Sequence, residues 1–95
     1  MIRYAILSLA FVSAPALANG FQAEANVAPA QARFVARDSI WRCSETFCVS
    51  TNRTSTRPAI VCAALARQVG ALKSFSAEGR AFGPEELQSC NARAR

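Results

Sequence analysis

The chain has 95 residues, with 11 basic against 6 acidic side chains and no histidine, so its net charge is +5. Without histidine, one chain cannot assemble a Ser–His or Cys–His catalytic pair or a histidine-bound metal site. A basic charge of this size is compatible with an anionic partner, although it often reflects only a well-solvated surface.

The first 18 residues have the three parts of a cleavable secretory signal peptide. A positive charge at Arg3 precedes an apolar run from Ala5 to Val12, and small residues end in Ala16-Leu17-Ala18. An uncleaved membrane helix is the alternative, but a spanning helix needs about 20 mainly apolar residues, and Pro15 interrupts this run. We therefore expect cleavage after Ala18 and export to the bacterial periplasm or out of the cell, with no transmembrane span.

The residues after the predicted cleavage point divide into an arm and one domain. Residues 19–32 are rich in alanine, contain Pro29 and lack a regular apolar period, which predicts a flexible arm. Residues 33–95 suffice for a single small domain. A domain of this length buries too little surface to be stable by its core alone, so covalent cross-links are expected.

The domain is predicted to be α+β, with a small antiparallel sheet of about three strands and two helices. β-branched and aromatic residues among polar ones indicate half-buried strands from Arg33 onward. They include a hairpin at 39–51 that turns about Glu45-Thr46. Residues 71–82 have the same texture, with a turn or bulge at Glu78-Gly79.

The first helix is predicted at about 58–69. Pro58 suits a first helical turn, and Ser55 or Thr56 can cap the helix because their hydroxyls accept hydrogen bonds from free amides. A wide apolar face follows, which indicates a buried helix. Gly70 is a natural stop.

The second helix is predicted at about 84–91. It begins with Pro84, and two carboxylates follow at Glu85 and Glu86. Carboxylates beside the positive end of the helix dipole are stabilising. Adjacent residues on a helix do not face each other, so these two are interpreted as helix-start charges and not as a catalytic acid/base pair.

Four cysteines lie at positions 43, 48, 62 and 90, and an even number in an exported chain predicts two disulfides. Three pairings are open. In the hairpin register Cys43 faces Cys48, within reach of a bridge if the pair is non-hydrogen-bonded, so Cys43–Cys48 and Cys62–Cys90 are preferred. Zinc binding and redox catalysis are weaker alternatives, because the spacing is C-x4-C and not C-x2-C.

A candidate anion-binding site lies at the start of the first helix. Arg53 and Arg57 flank three hydroxyl residues, Thr54, Ser55 and Thr56. Free amides and the dipole at a helix N-terminus favour an anion, and a guanidinium binds carboxylates and phosphates with a planar fork. Solvated arginines and ordinary helix caps are the simpler alternative.

A set of motifs resembles a family of short, uncharacterised, exported alphaproteobacterial proteins with four cysteines. The motifs span roughly residues 39–91 and are Trp41-Arg42-Cys43, Cys48, Arg57-Pro58-Ala59-Ile60-Val61-Cys62, Ser74-Phe75-Ser76 and Cys90-Asn91. The resemblance implies a periplasmic setting. It implies no activity, substrate or catalytic residue.

Together these observations predict a non-enzymatic, envelope-associated binding or interaction module without catalytic residues, metal or cofactor. Its expected partner is a protein or an anionic envelope component, and export argues against nucleic acid. One alternative is an inhibitor that inserts the loop at 52–57 into a hydrolase, and another is a module that binds phosphate or lipid headgroups. Trp41 can stack on a ligand or fill the core, and the core role is favoured in so small a domain.

Overall fold

A six-stranded antiparallel sheet with two helices packed on one face forms the fold. The structure is a computed structural model that describes residues 20–51 and 54–94, so the predicted signal peptide at 1–18 lies outside the described residues. The strand order is β2-β3-β4-β1-β5-β6. The elements are β1 (Phe21–Ala25), β2 (Arg33–Ala36), β3 (Ser39–Ser44), β4 (Phe47–Ser50), α1 (Pro58–Val69), β5 (Leu72–Ala77), β6 (Arg80–Ala81) and α2 (Pro84–Asn91).

The α+β class, the antiparallel sheet and the two helices are confirmed, but the expected number of about three strands is wrong, because the sheet has six. The strands at its two edges are short: β2 has four residues and β6 has two. Strands of this length have little stability by themselves. Their neighbours in the sheet, β3 and β5, supply the hydrogen-bond partners that such short strands need.

The segment predicted as a flexible arm contains an interior strand of the sheet. β1 pairs with β4 on one side and with β5 on the other. Phe21, Ala23 and Ala25 alternate into the core, and each is at most 5% exposed. The prediction of an arm is therefore wrong at these residues. Alanine has low strand propensity, but here hydrogen bonds on both sides and the burial of Phe21 outweigh it.

Helix α1 has the predicted bounds, Pro58–Val69, but a different cap. Arg57 occupies the N-cap position and makes no side-chain cap bond, so the expectation that Ser55 or Thr56 caps the helix is wrong. The Thr56 hydroxyl donates elsewhere, to the Asp38 carboxylate. The helix is held by tertiary contacts instead of by a capping side chain.

Helix α2 also has the predicted bounds, Pro84–Asn91. The Gly83 N–H donates to the Glu86 carboxylate at 2.9 Å, as in one half of a capping box. At the other end, the Asn91 side chain pairs with the backbone of Leu72: its Oδ1 accepts from the Leu72 N–H at 2.8 Å, and its Nδ2 donates to the Leu72 carbonyl at 2.9 Å. These two hydrogen bonds attach α2 to the start of β5.

Aromatic side chains run across the helix-covered face of the sheet. The ring centroids of Trp41 and Phe21 are 6.2 Å apart, those of Phe21 and Phe75 5.9 Å, and those of Phe75 and Phe82 4.7 Å. Trp41 is fully buried and is a core residue. Phe82, the last of the series, is only half-buried.

The two disulfides join the preferred pairs, Cys43–Cys48 and Cys62–Cys90. Cys43 and Cys48 are direct partners in the β3–β4 hairpin, while the Cys43 N–H donates to the Ala32 carbonyl on the side away from β4. The pair is therefore of the non-hydrogen-bonded kind, in which side chains approach closely. The second bridge is buried and joins α1 to α2.

Candidate anion-binding cleft

The loop expected to bind an external anion holds a carboxylate of the protein itself. The Thr54 and Thr56 hydroxyls both donate to Asp38 Oδ2, at 2.8 and 3.1 Å. These hydrogen bonds, that from Thr54 foremost, hold the pKa of the Asp38 carboxyl below its ordinary value. Since Asp38 lies in the β2–β3 turn, the two threonines connect that turn to the approach of α1.

Of the other members of the predicted site, the structure describes Ser55 and Arg57. Ser55 is exposed, and Arg53 lies outside the described residues, as does Asn52 at the start of the loop proposed for hydrolase inhibition. Arg57 lines a separate cleft on the helix side of the sheet. Of the predicted set, Arg57 is thus the residue that the structure places at a cavity.

The cleft has a volume of about 860 Å³ and lies between α1, the β5–β6 hairpin and α2. Each helix contributes one stripe of residues at i, i+3, i+4 and i+7, a spacing that keeps side chains on one helix face. The α1 stripe is Ile60, Ala63, Ala64 and Arg67, and the α2 stripe is Glu86, Ser89 and Cys90, which Arg93 continues just after the helix ends. Because Ala63, Ala64 and Ser89 are small, the space between the two helices and the hairpin stays open.

Five exposed arginines line the cleft: Arg37, Arg57, Arg67, Arg80 and Arg93. They come from the β2–β3 turn, from both ends of α1, from β6 and from the residues after α2. Arg37 contributes to the field that lowers the pKa of Asp38. The other four form no ion pair with a carboxylate in the part of the chain that the structure describes.

Two carboxylates, Glu78 and Glu86, also line the cleft. Glu86 already accepts the hydrogen bond from the Gly83 N–H, and the basic residues outnumber the acidic ones. An anion that enters is therefore attracted by several guanidinium groups at once.

Part of the cleft lining is apolar. Ile60 is 40% exposed there, and Phe82, Ala63 and Ala64 are half-buried beside it. A cleft lined by both apolar side chains and guanidinium groups is complementary to a molecule with an anionic head and an apolar part.

Sequence reasoning anticipated one arginine of the cleft, Arg57, and missed the rest. The sequence does indicate that Arg67 shares a helix face with Ile60, because it lies seven residues after it. Arg37, Arg80 and Arg93 are far apart in the chain, and their convergence depends on the packing of the helices on the sheet.

Within residues 20–51 and 54–94, no group of three or more cysteine, aspartate or glutamate side chains is placed to hold a metal ion. The same residues contain no helix that is long and apolar enough to cross a membrane.

Comparison with known proteins gives one match. The model of a family of unknown function matches residues 5–92, which is most of the chain and includes the segment that contains β1. No curated protein and no solved structure matches the chain. The comparisons therefore supply no activity or ligand, and the function has to be inferred from the cleft.

Proposed function

We propose the function of this protein from the geometry of the cleft. The chain belongs to the DUF8200 family, a family of unknown function, so family membership itself supplies no activity. The protein is proposed to be an exported, non-enzymatic binding module. Its ligand is a carboxylate or phosphate that carries an alkyl or aromatic group, and this ligand occupies the cleft between α1, α2 and the β5–β6 hairpin.

Two features support the export part of the proposal. All four cysteines are bonded, and the described residues contain no free cysteine. Disulfides form and persist in oxidising compartments, which lie outside the cytoplasm. The first 18 residues add the charge, the apolar run and the small terminal residues of a signal peptide.

The proposal that the cleft binds an anion is supported by arginines that line it together and lack carboxylate partners among the described residues. Arg57, Arg67, Arg80 and Arg93 line one cleft, and no described carboxylate pairs with them. Guanidinium groups placed together repel one another, and a bound anion relieves the repulsion and accepts their hydrogen bonds. A basic surface needed only for solubility would not require this convergence on a cavity.

The apolar part of the lining narrows the class of ligand. Ile60 and Phe82 contribute apolar surface to the cleft that the arginines also line, and covering that surface is favourable at about 25 cal/mol per Å². A bare phosphate or sulfate leaves this surface in water. An alkyl or aryl carboxylate covers it while its head reaches the arginines.

The experiment is an amide NMR titration of the oxidised protein with three probes: octanoate, octanol and inorganic phosphate. Octanoate is expected to change the amide chemical shifts of α1, α2 and the β5–β6 hairpin at lower concentration than octanol or phosphate. Of the three probes, it alone has both an anionic head and an alkyl chain. Replacing Arg67→Gln together with Arg80→Gln is expected to weaken octanoate binding roughly tenfold, since charged hydrogen bonds are lost.

The matched control is Arg33→Gln with Arg42→Gln, which removes the same charge from the opposite face of the sheet. This control variant is expected to bind octanoate as the unchanged protein does. If both double variants weaken octanoate binding equally, the binding responds to net charge alone. Chemical-shift changes that octanoate causes outside the cleft would contradict the proposed site.

A further inference from the structure

The sheet face away from the helices carries an exposed apolar cluster. Val35, Ile40 and Phe47 are exposed by 59, 52 and 60%. They lie on β2, β3 and β4, where burial alternates along each strand, so their side chains point away from the core. Large apolar side chains grouped on one face mark a site of interaction more often than scattered ones do.

Two arginines adjoin this cluster. Arg33 with Arg42 and Val35 with Ile40 are direct cross-strand partners on β2 and β3. Both pairs are of the non-hydrogen-bonded kind, because the next position of the ladder, that of Cys43, is hydrogen-bonded to the β2 side. Like charges directly opposite each other destabilise a sheet. We call these five residues, Arg33, Val35, Ile40, Arg42 and Phe47, the outer patch.

The other half of the same face is different, because its charges are compensated. On β1 and β5, Glu24 lies 3.9 Å from the Lys73 Nζ and accepts a hydrogen bond from the Thr46 hydroxyl at 3.3 Å. Gln22 and Ser76 face each other beside them. The apolar and uncompensated basic character is thus confined to the outer patch.

We propose that the outer patch docks the protein on an anionic lipid bilayer. Val35, Ile40 and Phe47 enter the headgroup region, while Arg33 and Arg42 extend along them and reach lipid phosphates. Juxtaposed arginines suit a bilayer because its headgroups are mobile and can bring two phosphates to adjacent guanidinium groups. A protein partner would need two carboxylates fixed in the matching register.

A second copy of the chain is a poorer occupant than a bilayer. A two-fold interface brings each patch against itself, so four arginines would be enclosed in one interface with no carboxylate of the outer patch to pair with them. The proposed ligand cleft lies on the helix side of the sheet, which leaves it accessible when the outer patch is on a membrane.

The test is vesicle flotation of the chain from Asn19 onward with both disulfides intact. This form is suitable because the core and both bridges lie within residues 20–94. The protein is expected to float with phosphatidylcholine vesicles that contain phosphatidylglycerol and not with phosphatidylcholine alone. Arg33→Gln with Arg42→Gln is expected to lower the partition coefficient roughly tenfold or more.

A second variant tests the apolar contribution separately. Val35→Thr with Ile40→Thr keeps the β-branched shape that strands favour and removes apolar surface, so folding is retained and the partition coefficient falls by roughly tenfold. Urea unfolding of each variant checks that its fold is retained.

The control is Arg67→Gln with Arg80→Gln, which lowers the net charge equally but from the cleft, and which is expected to leave flotation unchanged. Equal loss in both arginine variants would overturn the proposal, because the lipid would then respond to bulk charge or enter the cleft. So would flotation that does not depend on phosphatidylglycerol, or a dimer in analytical ultracentrifugation that the outer-patch variants dissociate. None of these outcomes affects the octanoate titration, which tests the cleft independently.

Discussion

Gly20 lies against the carbonyl group of Ser50, so closely that a β-carbon at residue 20 would be 2.6 Å from the Ser50 oxygen. Its φ of +149° is also one that side chains rarely tolerate. Gly20 directly precedes β1, and Ser50 ends β4 opposite Phe21. The close approach of the two backbones is therefore part of the entry of β1 into the sheet.

This contact predicts a graded effect of three glycine substitutions. Gly20→Ala meets both the clash and the unfavourable φ, and is expected to lower the free energy of unfolding by more than about 2 kcal/mol. Gly70→Ala has a φ of +95° but nothing within 4 Å, so a loss of about 1 kcal/mol is expected. Gly83→Ala, with a φ of −79°, is expected to be nearly neutral. Urea unfolding with intact disulfides measures all three, and a Gly20→Ala variant as stable as Gly83→Ala would contradict the position of β1.

The two disulfides are expected to contribute unequally to stability. Cys62 and Cys90 are 28 positions apart, and Cys43 and Cys48 are 5 apart. The longer loop restricts the unfolded chain more, so replacing Cys62 and Cys90 by alanine is expected to lower the free energy of unfolding by about 3.5 kcal/mol, against about 2 kcal/mol for the hairpin pair. Urea unfolding of the two double variants tests this order, and the reverse order would show that the loop-entropy argument does not apply here.

The Asp38 carboxyl is expected to titrate below the ordinary value of 3.8 because Thr54, foremost, and then Thr56 donate hydrogen bonds to it. A carboxyl whose pKa is lowered by folding adds stability above its unfolded pKa and loses it as the pH falls through the folded pKa. Thr54→Val with Thr56→Val is expected to raise the pKa of Asp38 toward 3.8. Carbon NMR titration of the carboxyl measures the change. Ser55→Ala is the control, and the same pKa in the valine variant as in this control would contradict the observed contacts.

Two substitutions of Asn91 are expected to change the stability of the protein in different ways. Asn91→Ala leaves the half-buried Leu72 N–H and carbonyl without partners and is expected to cost about 2 kcal/mol. Asn91→Asp still accepts from the Leu72 N–H, but its carboxylate faces the carbonyl, which raises the pKa of the new group. Stability of this variant is therefore expected to fall as the pH rises from the unfolded pKa, about 3.9, through the higher folded pKa.

Urea unfolding at about pH 4 and about pH 7, with the exposed Gln88→Ala on the same helix as control, measures the effect at Asn91. A variant that is equally stable at both values would indicate that the side chain does not pair with β5.

Local features of the sequence predicted both helices and the β3–β4 hairpin with its disulfide. Helices α1 and α2 begin at Pro58 and Pro84, the residues that signal a helix start in the sequence. Cys43 and Cys48 are brought together by a turn of two residues, so their pairing needs no information from the rest of the chain. The capping of α1 was mispredicted because Thr56 has a distant competitor, Asp38, for its hydroxyl.

The sequence by itself determined the elements whose cause lies within one turn of the chain: α1, α2, the hairpin, and the need for covalent cross-links in so small a domain. Only the tertiary structure decided that the alanine-rich segment at β1 is an interior strand, and that Arg37, Arg67, Arg80 and Arg93 share one cleft. The physical reason is that strand pairing and the convergence of charges join groups that are distant along the chain. Neither can be established from neighbouring residues alone.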